Sequence, residues 1–538
     1  MQSLGALEIR CDTSNDRTWN NPFPTSRSPV AARNVAAASH PLATQAALEM
    51  LRCGGNAIDA AVAAAITLCV VEPLSTGVGG DAVAMLWDGT RLVGLNASGR
   101  APAGLDPTPF YQSGRMPIFG WDTVTVPGAV SGWVALSERF GVLPFSKLFE
   151  PAVRYATDGF VVLPVTARAW DTARGWFRSF PDFGDAFVYE GRTPRAGDLV
   201  RLPNLARTLS EIADSKGESL YRGALARRIA RHARSGGCAL SEADLATHTA
   251  DWVEPVSVGY RGFVVHELPP NCQGLAALQA LGVLDQLPAA GPDADPATAL
   301  HLRIEATRVA MREARRHIAD PAAMVVGADQ MLAPDHLAEL AAQVDPDRAR
   351  DHGYRDPHDT GTVCVTTADA NGLVVTLVQS LYAGSGIVVP DTGILMHNRG
   401  TAFSCDPDHP NQVGPGKRPF SSLAPAFVTL DGRPAFAFGL MGGAVQPQGH
   451  VQVLGHLIDS GHNPQAAIDA PRWRIETGLG LAVEPGFDDA ALADLTARGH
   501  VLVDPAAGGF GAAQLVAIDS VGYLAAADAR RDSQAAGF

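Results

Sequence analysis

Residues 358–367 read HDTGTVCVTT, and the run closes a few positions later in the turn-like ADANG of residues 368–372. Alternating β-branched and apolar residues of this kind form a strand, so Thr360 is at least the first residue of one. Immediately before it, residues 345–360 (DPDRARDHGYRDPHDT) are rich in Asp, Arg, His, Gly and Pro, with Ala349 and the flanking Val344 as their apolar residues. That composition predicts an exposed, mobile loop. A mobile loop running directly into a buried strand is an unusual place for a hydroxyl, and the rest of the chain decides whether it has a chemical use.

The chain has 538 residues, enough for one large core or two to three ordinary domains. Its formal net charge of -14 argues against a nucleic-acid or anionic-membrane surface, which needs clustered Lys and Arg, and favours a small-molecule or protein partner. Residues 1–34 contain no basic stretch followed by an apolar one, so no secretory signal and a cytoplasmic location are expected. The longest apolar run, Ala60 to Val71, is too short to span a bilayer and suits a buried helix. Seven scattered cysteines without a C-x-x-C pair read as small buried hydrophobes, Cys69 and Cys364 above all. The histidines, His358, His397 and His450 among them, have no metal-ligand spacing, and no metal or organic cofactor is implied.

Along the chain, LATQAALEMLRCGGNAIDAAVAAAITLCVVEP reads as two helices, the first closed by Gly54-Gly55 and the second capped by Asn56. AVAMLWDGTRLVGLNA reads as a hairpin turning at Asp88-Gly89. A helical middle from about 131 to 234 and a strong helix in TALHLRIEATRVAMREARRHI follow, and beyond residue 360 the texture is strands and turns. GVGGDA at 77–82 approximates a dinucleotide loop and GPGKRPFSS a phosphate loop, but the first follows a helical run and the second lacks Ser or Thr after Lys417.

Six segments, NAIDAAVAAAITLCVVEP…GVGGDAVAML, VPGAVSGWVALSERFGVLPFSKLFEPAVRYATDGFVV, YRGFVVHELPPNCQG, DTGTVCVTTADANGLVVTLVQS, GSGIVVPDTGIL and GKRPFSSLAPAFV, together resemble the γ-glutamyltranspeptidase family, in its order and over about residues 34–532. The resemblance implies an N-terminal nucleophile hydrolase: an α+β, four-layer αββα sandwich with two antiparallel sheets between helical layers. It also implies a precursor that cuts itself between Asp359 and Thr360. The products would be a large subunit, 1–359, and a small subunit, 360–538, intertwined as a heterodimer; a dimer of heterodimers stays open. An N-terminal Thr carries its own α-amine, with a pKa of about 7.7–8.0, to accept the hydroxyl proton, so one residue supplies nucleophile and base. Thr362, two residues into the strand, is the competing nucleophile.

By the same resemblance Gly442 and Gly443 are the oxyanion donors, and Arg100, Ser421 and Ser422 hold a substrate carboxylate. Departures lie on the other side of the ligand. The acid that pairs with a substrate α-ammonium becomes Ala402, its neighbouring Gln becomes Arg399, an Asn becomes Ser380 and a Thr becomes Val378. Burying an ammonium without a counter-charge costs several kcal/mol, and Arg399 adds repulsion. The expected reaction is therefore hydrolysis of a small acid amide without an α-amine, oxamate-like or glutaryl-like. γ-Glutamyl hydrolysis or transfer on glutathione and its relatives is the alternative, and an unprocessed binding protein is a third reading that an intact mass would separate from both.

Overall fold

Asn56 starts the longer of two N-terminal helices by accepting hydrogen bonds from the Ile58 and Asp59 N–H groups, while the Asp59 carboxylate takes the Asn56 N–H in return. Asp59 also accepts from Val142 and Leu143, which ties this helix start to the next segment of chain. The helix, Ala57–Val71, is apolar on every side and all of its residues are buried, as the sequence predicts for a helix covered on both faces. Its predecessor, Pro41–Arg52, ends in Cys53 and Gly54, with Gly54 at a φ of 88°.

These elements come from a computed structural model, which describes residues 8–10, 26–291, 294–355, 361–505 and 509–538. The helix Ala57–Val71 packs on a seven-stranded antiparallel sheet ordered 534–537, 35–38, 361–368, 374–382, 81–87, 92–96 and 251–253. A second seven-stranded antiparallel sheet, ordered 30–32, 522–527, 512–519, 433–441, 425–430, 263–267 and 256–260, lies against the first. Helices Leu275–Asp285, Pro296–His317 and Val445–Leu454 form the outer layer on that side. The order is helix, sheet, sheet, helix.

Strand period sorts the side chains into these layers. Val363, Val365, Leu377 and Leu381 join the core under the first helices, whereas Cys364, Val374 and Val378 join the core between the sheets. Such strands are buried on both faces and read as nearly continuous apolar runs. Cys69 and Cys364 are buried, as the sequence predicts. The first sheet mixes strands from before and after residue 360: the central pair, Gly361–Ala368 and Val374–Tyr382, is flanked by Val35–Ala38 and Asp81–Trp87. The hairpin turn falls at Asp88–Arg91, where the Asp88 carboxylate accepts from the Thr90 and Arg91 N–H groups.

The expectation of a freely mobile 345–360 is corrected for its described part. Tyr354 is buried, its carbonyl accepts from Gly478 N, Ala349 N donates to Arg498 O, and Arg350 N donates to Glu305 Oε2. One aromatic anchor and three backbone contacts dock residues 349–354, despite their polar composition. Asp359 and Thr360 lie outside the described residues. No helix among the described residues is long and apolar enough to cross a membrane.

His40 caps the first helix through Nδ1, which accepts from Leu42 N, and burial lowers its pKa from 6.5 to about 3. The unfolded chain therefore takes up a proton below pH 6.5 that the folded one refuses, and stability falls as pH drops through this window. His40→Asn keeps a cap acceptor without the titration. Urea unfolding should show the wild type losing about 2 kcal/mol relative to this variant between pH 7.5 and 5. A difference that does not change with pH would remove His40 as an acid-sensitive element.

Candidate active site

Gly361 opens its strand opposite Tyr382, and the pairing shifts register between Gly361 and Val363. Ser380 holds this irregular end: its hydroxyl donates to Gly361 O at 2.6 Å and accepts from Tyr382 N at 2.6 Å. Tyr382 takes a positive φ of 59°, which is uncommon outside glycine and costs about 1 kcal/mol or more. Thr362, the competing nucleophile, is fully buried between the sheets, with its hydroxyl donating to Ser380 Oγ at 3.3 Å. Val378 belongs to the apolar core between the sheets.

Met441 ends a central strand of the second sheet, and Val445 begins a helix. Between them Gly442 and Gly443 have φ values of 118° and 60°, and a Cβ on Gly442 would meet Val445 Cγ1 at 2.7 Å and Gly511 Cα at 3.0 Å. Only glycine fits this turn without strain. Among the described residues neither glycine N–H has a backbone acceptor. Gln273 fixes the neighbourhood by donating from Nε2 to both Ser422 O at 2.7 Å and Gly443 O at 2.8 Å. Gly361 and Gly442 line one cavity of about 570 Å³, together with Trp176, Phe510 and Arg531. A larger groove, about 830 Å³, lies on the helical surface around Val153 and Ser219 and shares no wall with it.

Arg399 is fully buried with its guanidinium 4.7 Å from the Tyr382 ring centre. Its Nη1 donates to Ser422 Oγ at 3.0 Å, and its Nε lies 3.4 Å from Asp81 Oδ2. Nη2 has no hydrogen-bond partner among the described residues. Asp81 is buried too, which raises a carboxyl pKa, but His397 at 3.4 Å, Arg399 and the Gly99 N–H outweigh burial and hold it below the usual range. Ser421 is buried beside Ser422, with its N–H donating to Asn271 O. The structure thus brings Arg399, Ser422, Ser421 and Tyr382 together and links them to Gly443 through Gln273.

Arg100 is not part of that group. Its half-exposed side chain turns to Asp320, at 2.7 Å, and to Gly416 O, on the wall of a separate cavity of about 210 Å³. The resemblance casts Arg100 as a carboxylate ligand beside the two serines; in this structure its guanidinium pairs with Asp320. Sequence reasoning also missed Asp81, whose GVGGDA context drew attention to the glycines. The usable signal was an acid at the head of the apolar strand DAVAMLW, since a buried carboxylate needs a partner. Ala402 is partly buried, and its carbonyl accepts from Asn411 Nδ2. No group of three or more His, Cys, Asp or Glu among the described residues could hold a metal ion.

The γ-glutamyltranspeptidase family model matches residues 43–538. The chain belongs to the γ-glutamyltranspeptidase family. It is 36% identical over 489 residues to the oxamate amidohydrolase proenzyme of Klebsiella pneumoniae, an alignment covering 88% of this chain and 91% of that one. It is 33% identical to the glutathione hydrolase-like YwrD proenzyme of Bacillus subtilis, covering 95% and 100%. The crystal structure of cephalosporin acylase from Bacillus halodurans superposes with a TM-score of 0.92 at 40% identity, covering 97% of this chain and 99% of that one. The γ-glutamyltranspeptidase-family chain is therefore an enzyme with the αββα sandwich of the N-terminal nucleophile hydrolases, as the resemblance implied.

Proposed function

We propose that this enzyme cleaves itself between Asp359 and Thr360, and that the freed Thr360 hydrolyses the amide of a small carboxylate-bearing substrate lacking an α-amine. In the precursor the Thr360 hydroxyl attacks the Asp359 carbonyl; the C–O ester forms as the C–N bond breaks, and water then hydrolyses the ester. In the mature enzyme the Thr360 α-amine takes the hydroxyl proton as Oγ attacks the substrate carbonyl. The Gly442 and Gly443 N–H groups receive the developing oxyanion. The amine leaves with the proton, and water releases the acid from acyl-Thr360. The fragments 1–359 and 360–538 stay together as a heterodimer because both sheets take strands from both of them.

The observation that carries the substrate choice is Arg399: a fully buried guanidinium with an unpartnered Nη2, bonded to Ser422 and stacked on the residue opposite Gly361. A substrate carboxylate completes its hydrogen bonding, with Ser422 and Ser421 as hydroxyl donors. Arg399 takes the role that the sequence gave reason to expect of Arg100, and Ser380 supports the site by holding the Gly361 end of the strand rather than the ligand. An α-ammonium meets Arg399 there, while Asp81 is already engaged by Arg399 and His397. The names of the Klebsiella and B. halodurans relatives, an amidohydrolase and an acylase, agree with amide hydrolysis.

The test compares ammonia release from oxamate with cleavage of glutaryl and γ-glutamyl 4-nitroanilides. The glutaryl compound should exceed its γ-glutamyl counterpart in kcat/KM by roughly 30-fold or more, the value of about 2 kcal/mol for one uncompensated buried charge. Equal or faster γ-glutamyl cleavage would hand the site to the glutathione-type alternative.

A further inference from the structure

Gln273 stands where two parts of the site that must cooperate come together, and it is buried. An amide nitrogen carries two N–H donors. Gln273 Nε2 donates to the carbonyls of Ser422 and Gly443, and its backbone N–H donates to Ser421 O at 2.9 Å. One residue therefore grips the backbone of both serines and of the second glycine. The Gly443 carbonyl accepts from Gln273 and, at 3.2 Å, from the Gln446 N–H. Glycine resists rotation less than any residue with a Cβ, so an outside hold on its carbonyl decides where its own N–H points.

The frame behind Gln273 is fixed independently. Glu267 ends the strand Phe263–Glu267 and His450 lies in the helix Val445–Leu454; both are fully buried, and they share a hydrogen bond of 2.5 Å. The stretches 267–273 and 443–450 are thus tied twice, once by Glu267 with His450 and once by Gln273 with Gly443. Loss of the Gln273 amide leaves the first tie in place, so it loosens the glycine turn without unpacking the layer that carries it.

We propose that Gln273 is a positioning residue of the reaction: it aims the Gly443 N–H at the developing oxyanion and holds that donor in register with the Ser421–Ser422 segment that receives the substrate carboxylate. The inference rests on the amide-hydrolysis reading above and deepens it. The distance from the substrate carboxylate to the reacting carbonyl is set by a single amide that touches both sides. Acyl length is then read as a match: only a chain of the right span brings its carbonyl to Gly443 while its carboxylate meets Ser422.

The experiment uses the processed enzyme with the mono-4-nitroanilides of succinate, glutarate and adipate, rates being counted per folded, cleaved heterodimer. Gln273→Met keeps the side-chain length and loses both donors. Its kcat on the preferred acyl group should fall by about tenfold to 100-fold, the scale of a misaimed oxyanion donor, and the spread of kcat/KM across the three lengths should narrow by about threefold or more. Gln273→Glu keeps the shape and donates only when protonated, so its kcat relative to the wild type should rise as pH falls from about 8 to 6. A purely structural role would lower the yield of folded protein and leave the rate per heterodimer, the length spread and the pH ratio where they are. An unchanged kcat and length spread in Gln273→Met would overturn the proposal; so would failure of both variants to give folded, cleaved protein, since Gln273 would then be a folding residue. If the acyl reading fails and only γ-glutamyl donors react, the same comparison with β-aspartyl and γ-glutamyl 4-nitroanilides tests Gln273 separately from that reading.

Discussion

A Thr360→Ala variant is expected to accumulate as one uncleaved, folded chain without measurable amidase turnover, whereas the wild type separates into fragments 1–359 and 360–538 under denaturing conditions. Removing the hydroxyl stops both reactions at their first bond-forming step, because nothing then attacks either the Asp359 carbonyl or the substrate. N-terminal sequencing of the smaller wild-type fragment should read Thr-Gly-Thr-Val. Thr362→Ala is the control: it loses a 3.3 Å hydrogen bond to Ser380, worth about 1 kcal/mol, and should still be cleaved and active. Cleavage of Thr360→Ala, or loss of cleavage in Thr362→Ala alone, would move the nucleophile two residues along the strand. Under native conditions the wild-type fragments should co-elute, since Tyr354 O accepts from Gly478 N, Ala349 N donates to Arg498 O, and the central sheet interleaves strands of both fragments.

What the sequence made legible was local. Asn56 announces a helix start and the alternating run after Thr360 announces a strand; the structure adds Asp59 as the return half of the cap and sends the strand's two faces into different cores. Gly442-Gly443 alone reads as a turn, and the structure shows a positive-φ turn between a strand and a helix there; its oxyanion role came from the resemblance. What was hidden depends on layers and register. Asp81 and Arg399 are 318 positions apart and meet because one begins a strand and the other lies in the turn that follows the bridge from Gly79 to Met396. Arg100 has the right chemistry for an anion clamp but turns outward to Asp320, and nothing within ten residues of it predicts that choice. Tyr354 docks a segment whose composition otherwise argues for solvent. In each case the deciding partner comes from a distant part of the chain.

Arg399→Ala should lower kcat/KM for the preferred acid amide by about 10² to 10³, the largest effect expected of any residue outside Thr360 and the oxyanion glycines. Two losses combine. The substrate carboxylate loses its guanidinium, and Asp81 is left buried with His397 and the Gly99 N–H as its remaining partners, a situation that costs roughly 3–5 kcal/mol when one member of a buried pair is removed. Part of that cost falls on folding, so the informative variants are those that keep the site neutral. Arg399→Gln with Asp81→Asn removes both charges at once and should recover stability without recovering activity on glutaryl amides, because the carboxylate still lacks a cation. Arg399→Gln with Ala402→Asp should instead shift the ratio of glutaryl to γ-glutamyl cleavage toward the γ-glutamyl compound by tenfold or more, on the order of one relieved ammonium repulsion. Arg100→Ala serves as the contrast, since its partner is Asp320: thermal stability should fall by at most about 1 kcal/mol, and the acyl preference should stay where it is. If Arg100→Ala abolishes turnover of glutaryl and γ-glutamyl amides alike while Arg399→Ala spares them, the carboxylate is held by Arg100 after rearrangement of the Asp320 pair, and Arg399 is only the structural counter-charge of Asp81.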